Sequence, residues 1–335
     1  MHMQMNLPLA CKTLVQFIPK KTLNPKLNTH NPYFLKQPII LSLRQAWRSP
    51  FHSQVEVEQE EVVVNDDGEH DDKKDRVEQL LTLDRDDVAR FMKMERNSNV
   101  NGRRWFPYVD KYRCQGDVYL SSSQVLEAVG PLIMEQRMQR LRSVASNRSY
   151  SLCLVVEGLS DLGNVAAAFR SADAVGIQSV HVVSFDSSKR YRHNRHVSMG
   201  AEKWLDIELW DSIQQCFNAL KSRGYRIVTT HVGMDAVSIY DMDWSCPTAI
   251  VVGNENRGIS DEALELSDLH CSIPMKGMVD SFNVSVAAGI LMHHAVFDRI
   301  SRLGCHGDLT MEESQILLAE FSLRHSKSAI SVAHE

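Results

Sequence analysis

The chain has 335 residues, enough for one large or two modest domains plus tails. At 43% hydrophobic and 24% charged residues, with a net charge of −5, it reads as an ordinary globular protein and not as a uniformly basic nucleic-acid binder. Its seven cysteines include no CxxC pair, against a disulfide framework or a Cys-rich zinc site, and no apolar run is long enough to span a bilayer.

The first 55 residues contain no Asp or Glu and seven basic residues, from Lys12 to Arg48. That acid-free, basic composition predicts an organelle transit peptide for chloroplast or mitochondrion; a cytosolic tail is the alternative. Residues 56–72 carry nine acids and no Lys or Arg, a self-repelling block read as a linker that extends to about residue 74. From Asp75 to Glu95, apolar residues at Val77, Leu80, Leu81, Val88, Phe91 and Met92 predict a helix. Asn97 to Gly116 reads as a loop. Its Arg103, Arg104, Trp105, Tyr108, Lys111 and Tyr112 suit either RNA contact or a solvated loop with a buried Trp. Ser121–Ser123 can cap a helix running to about Ser146. Its Arg137, Arg140 and Arg142 either complement the helix dipole or face RNA.

From Tyr150 onward strands alternate with helices. Strands are predicted at Leu152–Val156, Val180–Val183, Trp204–Leu209, Tyr225–Thr230, Thr248–Val252 and His270–Ile273. Helices are predicted at Gly163–Ala174, Ser212–Ser222 and from about Asn283 to Ile300, the last apolar nearly all round and therefore buried. Residues 311–325 form a short terminal helix. The alternation implies an α/β fold with a parallel sheet covered on both faces, whose ligands sit at the carboxyl ends of its strands. The loops after Val156, Val252 and Ile273 then share one rim.

Each of these loops has an unremarkable reading as well. In the first, Asn164 opens a small-residue helix and Arg170 lies nearly two turns on, roughly on the same side. Arg170 is either a snorkelling rim residue or a functional group. In the second, Gly253 and Gly258 permit close backbone approach to a ligand, and Glu255 is free to pair with a cation, cap the next helix or take a partner subunit's N–H. In the third, Asp280-Ser281-Phe282-Asn283 leads into the long helix, either as a plain cap or as a ligand loop whose N–H groups need partners. Competing motifs are missing. Asn164 and Val165 stand where a phosphate-binding loop needs Lys and Ser or Thr. No GxGxxG, HExxH or CxxC pattern occurs, so no metal site is predicted.

Asn164-Val-Ala-Ala-Ala-Phe-Arg170, Gly253-Asn-Glu-Asn-Arg-Gly258 and Ile273-Pro-Met with Ser281-Phe-Asn-Val-Ser-Val-Ala-Ala-Gly289 resemble, in order and spacing, the three motifs of the SPOUT methyltransferases. The match covers about residues 130–300, includes Ser198–Trp204, and is similar to the TrmH (SpoU) branch. Phe282 stands where the family usually has Leu, and Ser-Asp-Leu-Gly precedes Asn164 in place of a His/Pro version. The resemblance implies a methyltransferase domain over 148–303, flanked by a helical N-terminal extension (75–147) and a C-terminal helical tail (304–335). It implies a C-terminal trefoil knot, an exception to the rule that chains do not thread loops. It also implies a homodimer with the site completed near the subunit interface.

The activity so implied is S-adenosylmethionine-dependent methylation of a ribose 2′-hydroxyl in RNA, most similar to enzymes acting on a guanosine of the tRNA D-loop. An rRNA substrate and a non-catalytic RNA-binding factor are the alternatives. A dehydrogenase-like enzyme is disfavoured by the missing glycine fingerprint. By motif position Arg170 is the expected catalytic residue, with Asn164, Ser281, Asn283 and Glu255 in support. Val252, Gly253, Asn254, Gly258, Ile273, Met275, Ser281, Asn283 and Val284 would hold the methyl donor. A guanidinium stays protonated, so Arg170 is expected to orient a phosphate or the developing alkoxide. Lys189, Arg190, Arg192, His193, Arg195 and His196, with Arg140, are the expected RNA contacts.

Overall fold

A computed structural model describes residues 93–96, 104–114, 117–183 and 195–335, all within one compact unit, His70–Glu335. The leader, the acidic linker and the predicted helix over residues 75–92 lie outside the described residues. The described chain opens with a small antiparallel sheet in the order β1 (Met94–Arg96), β2 (Tyr108–Arg113), β3 (Tyr119–Leu120). Helix does not therefore run through Glu95, and the predicted loop over 97–116 contains a strand. Tyr108 and Tyr112 share the buried side of β2. The N–H groups of Lys93 and Met94 donate to the Glu320 carboxylate, at 3.0 and 2.6 Å. That partner is more than 220 residues away, so no local pattern could signal it.

The helix expected from Ser121 to Ser146 is two helices, α1 (Ser122–Val129) and α2 (Glu135–Ser146). Pro131 lacks the N–H that a continuous helix needs, and Gly130–Leu132 turns tightly between the two. Ser121 caps α1 in a full capping box with Gln124.

The larger unit alternates β4 (Ser149–Glu157), α3 (Leu162–Ala174), β5 (Ile177–Val183), α4 (Arg195–Ser198), β6 (Asp206–Trp210), α5 (Ile213–Ser222), β7 (Arg226–Thr230), β8 (Val237–Ser238), β9 (Thr248–Val252), α6 (Asp261–Leu266), β10 (Leu269–Ser272) and α7 (Val284–Leu303). α8 (Met311–His325) and α9 (Lys327–His334) follow. The sheet order is β6-β5-β4-β9-β7-β10-β8, and every pairing is parallel. Side-chain alternation along β4 divides the core. Leu152, Leu154 and Val156 pack on the side of α3 and α7, while Cys153 and Val155 pack toward α5 and the N-terminal sheet. Both faces are covered, as the continuous apolar runs predict.

The expectation of a fully buried α7 is overturned. Ala288, Leu291, Met292 and Ala295 are buried, but Val286, Phe297, Ile300 and Leu303 are about half exposed or more. Their spacing puts them on an outer stripe. No helix among the described residues is long and apolar enough to cross a membrane.

Candidate active site

Because the strands are parallel, the carboxyl ends of β4, β9, β7 and β10 stand side by side in that order. The three loops singled out in the sequence therefore do share one rim. The order adds a fourth element. The end of β7 lies between the second and third loops, and His231, just past it, donates its N–H to Cys271 O at 2.9 Å. The His231 ring meets His270 edge-on at 5.8 Å. Sequence reading missed this loop because only the strand order puts β7 between β9 and β10.

The second loop closes on itself. Asn254 and Gly258 exchange backbone bonds of 2.9 and 2.8 Å, and Asn254 Oδ1 accepts from the N–H groups of Asn256 and Arg257, both at 2.9 Å. A Cβ on Gly253 would overlap the Gly258 carbonyl, and Gly258 has φ +73°. Both glycines are thus required by the loop's own closure. Asn254 Nδ2 also donates to Gly158 O at 2.6 Å, tying this loop to the first.

Glu255 reaches across the rim. Its carboxylate accepts from Ser160 N at 3.4 Å, Asp161 N at 3.1 Å and Asn164 Nδ2 at 3.4 Å. Of the roles left open by the sequence, it fills none within its own loop: Ser260 caps α6, and Glu255 satisfies N–H groups at the start of α3. Partial burial raises its carboxyl, but its own N–H, those of Ser160 and Asp161, and the Asn164 amide outweigh this and lower it. Asn164 passes the connection on, since its Oδ1 accepts from Asn283 Nδ2 at 3.1 Å. Asn283 Oδ1 then caps α7 through Ser285 N and Val286 N, at 2.9 and 3.4 Å. Glu255, Asn164 and Asn283 form one relay across all three loops.

The third loop is the open part of the site. Among the described residues, no hydrogen bond is made by any atom of residues 274–282, and most of these residues are exposed. Unpartnered main-chain donors and acceptors on a rim fit an adenosyl ligand, whose ring nitrogens, amino group and ribose hydroxyls can satisfy them. Ile273 and Met275 are half-buried beneath it, while Val252, Gly253 and Val284 are buried at its floor. Ser281 is exposed and makes no hydrogen bond among the described residues; it neither caps α7 nor bonds Arg170.

Arg170 stands on the outer face of α3 with Asn164, Ala167 and Ala174, exposed and without an ion pair among the described residues. No hydrogen bond joins it to Asn164, Glu255, Ser281 or Asn283. It is thus a cation facing outward beside the relay. Arg140 is likewise exposed and has no ion pair among the described residues, whereas Arg137 lies over Trp204 at 5.3 Å and Arg142 approaches Glu135 at 3.6 Å. Lys189, Arg190, Arg192 and His193 lie outside the described residues, as do the side chains of Arg195 and His196. The basic and aromatic stretch near Trp105 turns inward. Trp105 is buried, Arg104 pairs with Glu313, and Tyr108 donates to Asp206 at 2.6 Å.

A family model described as the SpoU rRNA Methylase family matches residues 151–293. The chain is 34% identical over 192 residues to the tRNA (guanosine(18)-2'-O)-methyltransferase of Aquifex aeolicus, covering 57% of this chain and 90% of that relative. It is 31% identical over 180 residues to the 23S rRNA (guanosine-2'-O-)-methyltransferase RlmB of Pseudomonas aeruginosa, covering 54% and 68%. Among solved structures, the A. aeolicus TrmH/SpoU tRNA modifying enzyme aligns with a TM-score of 0.52 and 33% identity, over 56% of this chain and 96% of that one.

Proposed function

The chain belongs to the SpoU methylase family of S-adenosylmethionine-dependent RNA ribose 2′-O-methyltransferases, and we propose that its substrate is a guanosine in the D-loop of tRNA. The observation that carries the reading is the Glu255–Asn164–Asn283 relay, which fixes three distant loops around one open backbone cradle. When bound, the donor supplies a methyl group already activated on a sulfonium. The chain must position the ribose hydroxyl in line and manage its charge. Arg170 presents a permanently protonated fork to an RNA phosphate or to the developing alkoxide, and the proton passes to an RNA phosphate or to water. Asn164 holds the start of α3 so that Arg170 faces that point. Ser281 has a free hydroxyl on the same rim and serves the incoming ribose or the donor.

Two further features belong to this reading. The first is a homodimer built on the exposed apolar stripe of α7, supported by Val286, Phe297, Ile300 and Leu303 standing in water in the single chain. The second is the C-terminal trefoil knot that the three motifs imply through the family resemblance. RNA affinity comes from Arg140 and from the basic segment Lys189–Arg195 despite the acidic total. The acid-free leader supports import into an organelle, and a reporter fused behind residues 1–55 that stays diffuse in the cytosol would count against it.

The deciding experiment is methylation of a tRNA transcript with isotopically labelled donor. Incorporation that is abolished when the D-loop guanosine of position 18 carries a 2′-deoxyribose supports the proposal. Incorporation into an rRNA fragment instead of tRNA would move the chain to the RlmB-like reading. A folded protein that binds RNA but transfers no label would leave only the non-catalytic one.

A further inference from the structure

Glu157 takes no part in the Glu255–Asn164–Asn283 relay, yet it is 2% exposed at the carboxyl end of β4. Oε1 accepts from Ser260 Oγ and Oε2 accepts from Ser260 N at 3.2 Å. Ser260 Oγ in turn accepts from Ala263 N at 3.2 Å, which caps α6. The next residue, Gly158, accepts from Asn254 Nδ2 through its carbonyl. The last residue of β4 and the one that follows it therefore hold the second loop at both of its ends, Asn254 and Ser260. Glu255 lies between these anchors.

A buried carboxylate is a poor choice for stability alone, since burying the charge is costly and a well-packed apolar side chain commonly does as well. What an apolar side chain cannot do is accept two bonds from Ser260 and set the register of the loop that ends there. On the reading of this rim as the methyl-donor cradle, we propose that Glu157 is a positioning residue for cofactor binding: it clamps the second loop at Ser260 so that Glu255 meets Asn164. Burial raises the Glu157 carboxyl, the two Ser260 bonds oppose this, and Glu262 is the nearby charge that adds to the rise.

Glutamine can reproduce the clamp, accepting from Ser260 N with its oxygen and donating to Ser260 Oγ with its amide. Alanine cannot. The test is calorimetric titration of the full chain with S-adenosylhomocysteine, paired with steady-state kinetics on tRNA. Losing a buried bonding partner costs about tenfold in Kd or more for Glu157→Ala, while Glu157→Gln stays within about threefold. At saturating donor, kcat of Glu157→Ala falls along with donor binding, because a loosened Glu255 no longer holds Asn164 and the start of α3, while Glu157→Gln retains both. Parent-like binding by folded Glu157→Ala, or a fall in kcat at unchanged Kd, overturns the proposal. Should Glu157→Ala not fold, Ser260→Ala removes the same clamp from the loop side: weaker binding supports the proposal and unchanged binding overturns it. Failure of the parent protein to bind the ligand would sink the proposed function itself, and this inference with it.

Discussion

Asn283 donates through Nδ2 to Oδ1 of Asn164 at 3.1 Å, a bond spanning 119 positions of sequence. The other end of the Asn164 amide donates to Glu255, so one side chain joins the first loop to both of the others. Asn164→Ala should cut both ties while costing little stability, about 1 kcal/mol, because the bonds are solvent-facing. Asn164→Asp should be worse, since it sets a second carboxylate against Glu255. Methyl transfer with labelled donor is the measure, and parent-like turnover by both variants would remove the relay from the mechanism.

Among the described residues Arg170 has no hydrogen-bond or ion-pair partner to lose. Its replacement by alanine should therefore shift stability by less than about 0.5 kcal/mol. Methyl transfer should vanish while donor binding persists. Arg170→Lys keeps the charge but not the planar fork, and should recover part of the rate only if charge is what the ribose oxygen needs. Turnover by Arg170→Ala would dismiss the residue as catalytic.

Much of this site was legible because its signals are local. Asn283 caps α7 and Asn164 lies in the first turn of α3, where the sequence marks polar residues before apolar runs; Glu255 lies in the glycine-bounded turn after β9, and the rim followed from strand alternation alone. What was not legible depends on strand order or on distant partners. The end of β7 joins the site only because β7 lies between β9 and β10. Glu157 reads as the polar end of a strand until Ser260 is seen to bond it. β1 is organised by Glu320 from the far end of the chain. The apolar run of α7 predicts burial, whereas part of it faces outward, a distinction hydrophobicity does not carry.

That outer stripe leads to a prediction about assembly. Phe297 is 61% exposed on α7, one turn from Ile300. In a homodimer built there, Phe297→Asp buries a charge against an apolar partner and should give monomers in sedimentation equilibrium, with methyl transfer lost alongside. A monomeric parent protein, or a dimeric Phe297→Asp, would place any interface elsewhere.

Two buried histidines set a pH dependence. Burial pushes His181 down to about 4, with Arg223 and Arg96 adding to the fall and Glu208 opposing it. Trp210 Nε1 donates to its Nδ1 at 3.1 Å, and Ser179 Oγ lies 3.0 Å from Nε2. His306 is likewise lowered to about 4, by burial and then by Arg299, against Asp308. A folded pKa below the unfolded 6.5 means the unfolded state binds more protons between the two. Stability should thus be complete above pH 6.5, fall as pH drops toward 4, and level off beneath. The ceiling is roughly 3 kcal/mol for each residue. Denaturant melts across that window are the check, and His181→Asn should flatten the slope; an unchanged slope would rule His181 out.

Arg324 closes the buried charge system that fastens the N-terminal sheet to the larger one. It donates to Asp206 Oδ1 at 2.9 Å, to Glu320 Oε1 at 2.7 Å and to Tyr108 Oη at 2.8 Å, while Tyr108 and Tyr150 donate to Asp206. Asp206 and Glu320 are both fully buried. Removing the cation leaves two carboxylates without compensation, so Arg324→Ala should cost about 3–5 kcal/mol. Asp206→Asn should cost less, because the amide oxygen still accepts from Tyr108, the Tyr150 hydroxyl can turn to accept from the amide NH2, and Glu320 still neutralises Arg324. Thermal melts of the two variants decide it. Equal losses would overturn this account, because the near-isosteric Asp206→Asn keeps the packing that Arg324→Ala removes and leaves Glu320 paired with Arg324.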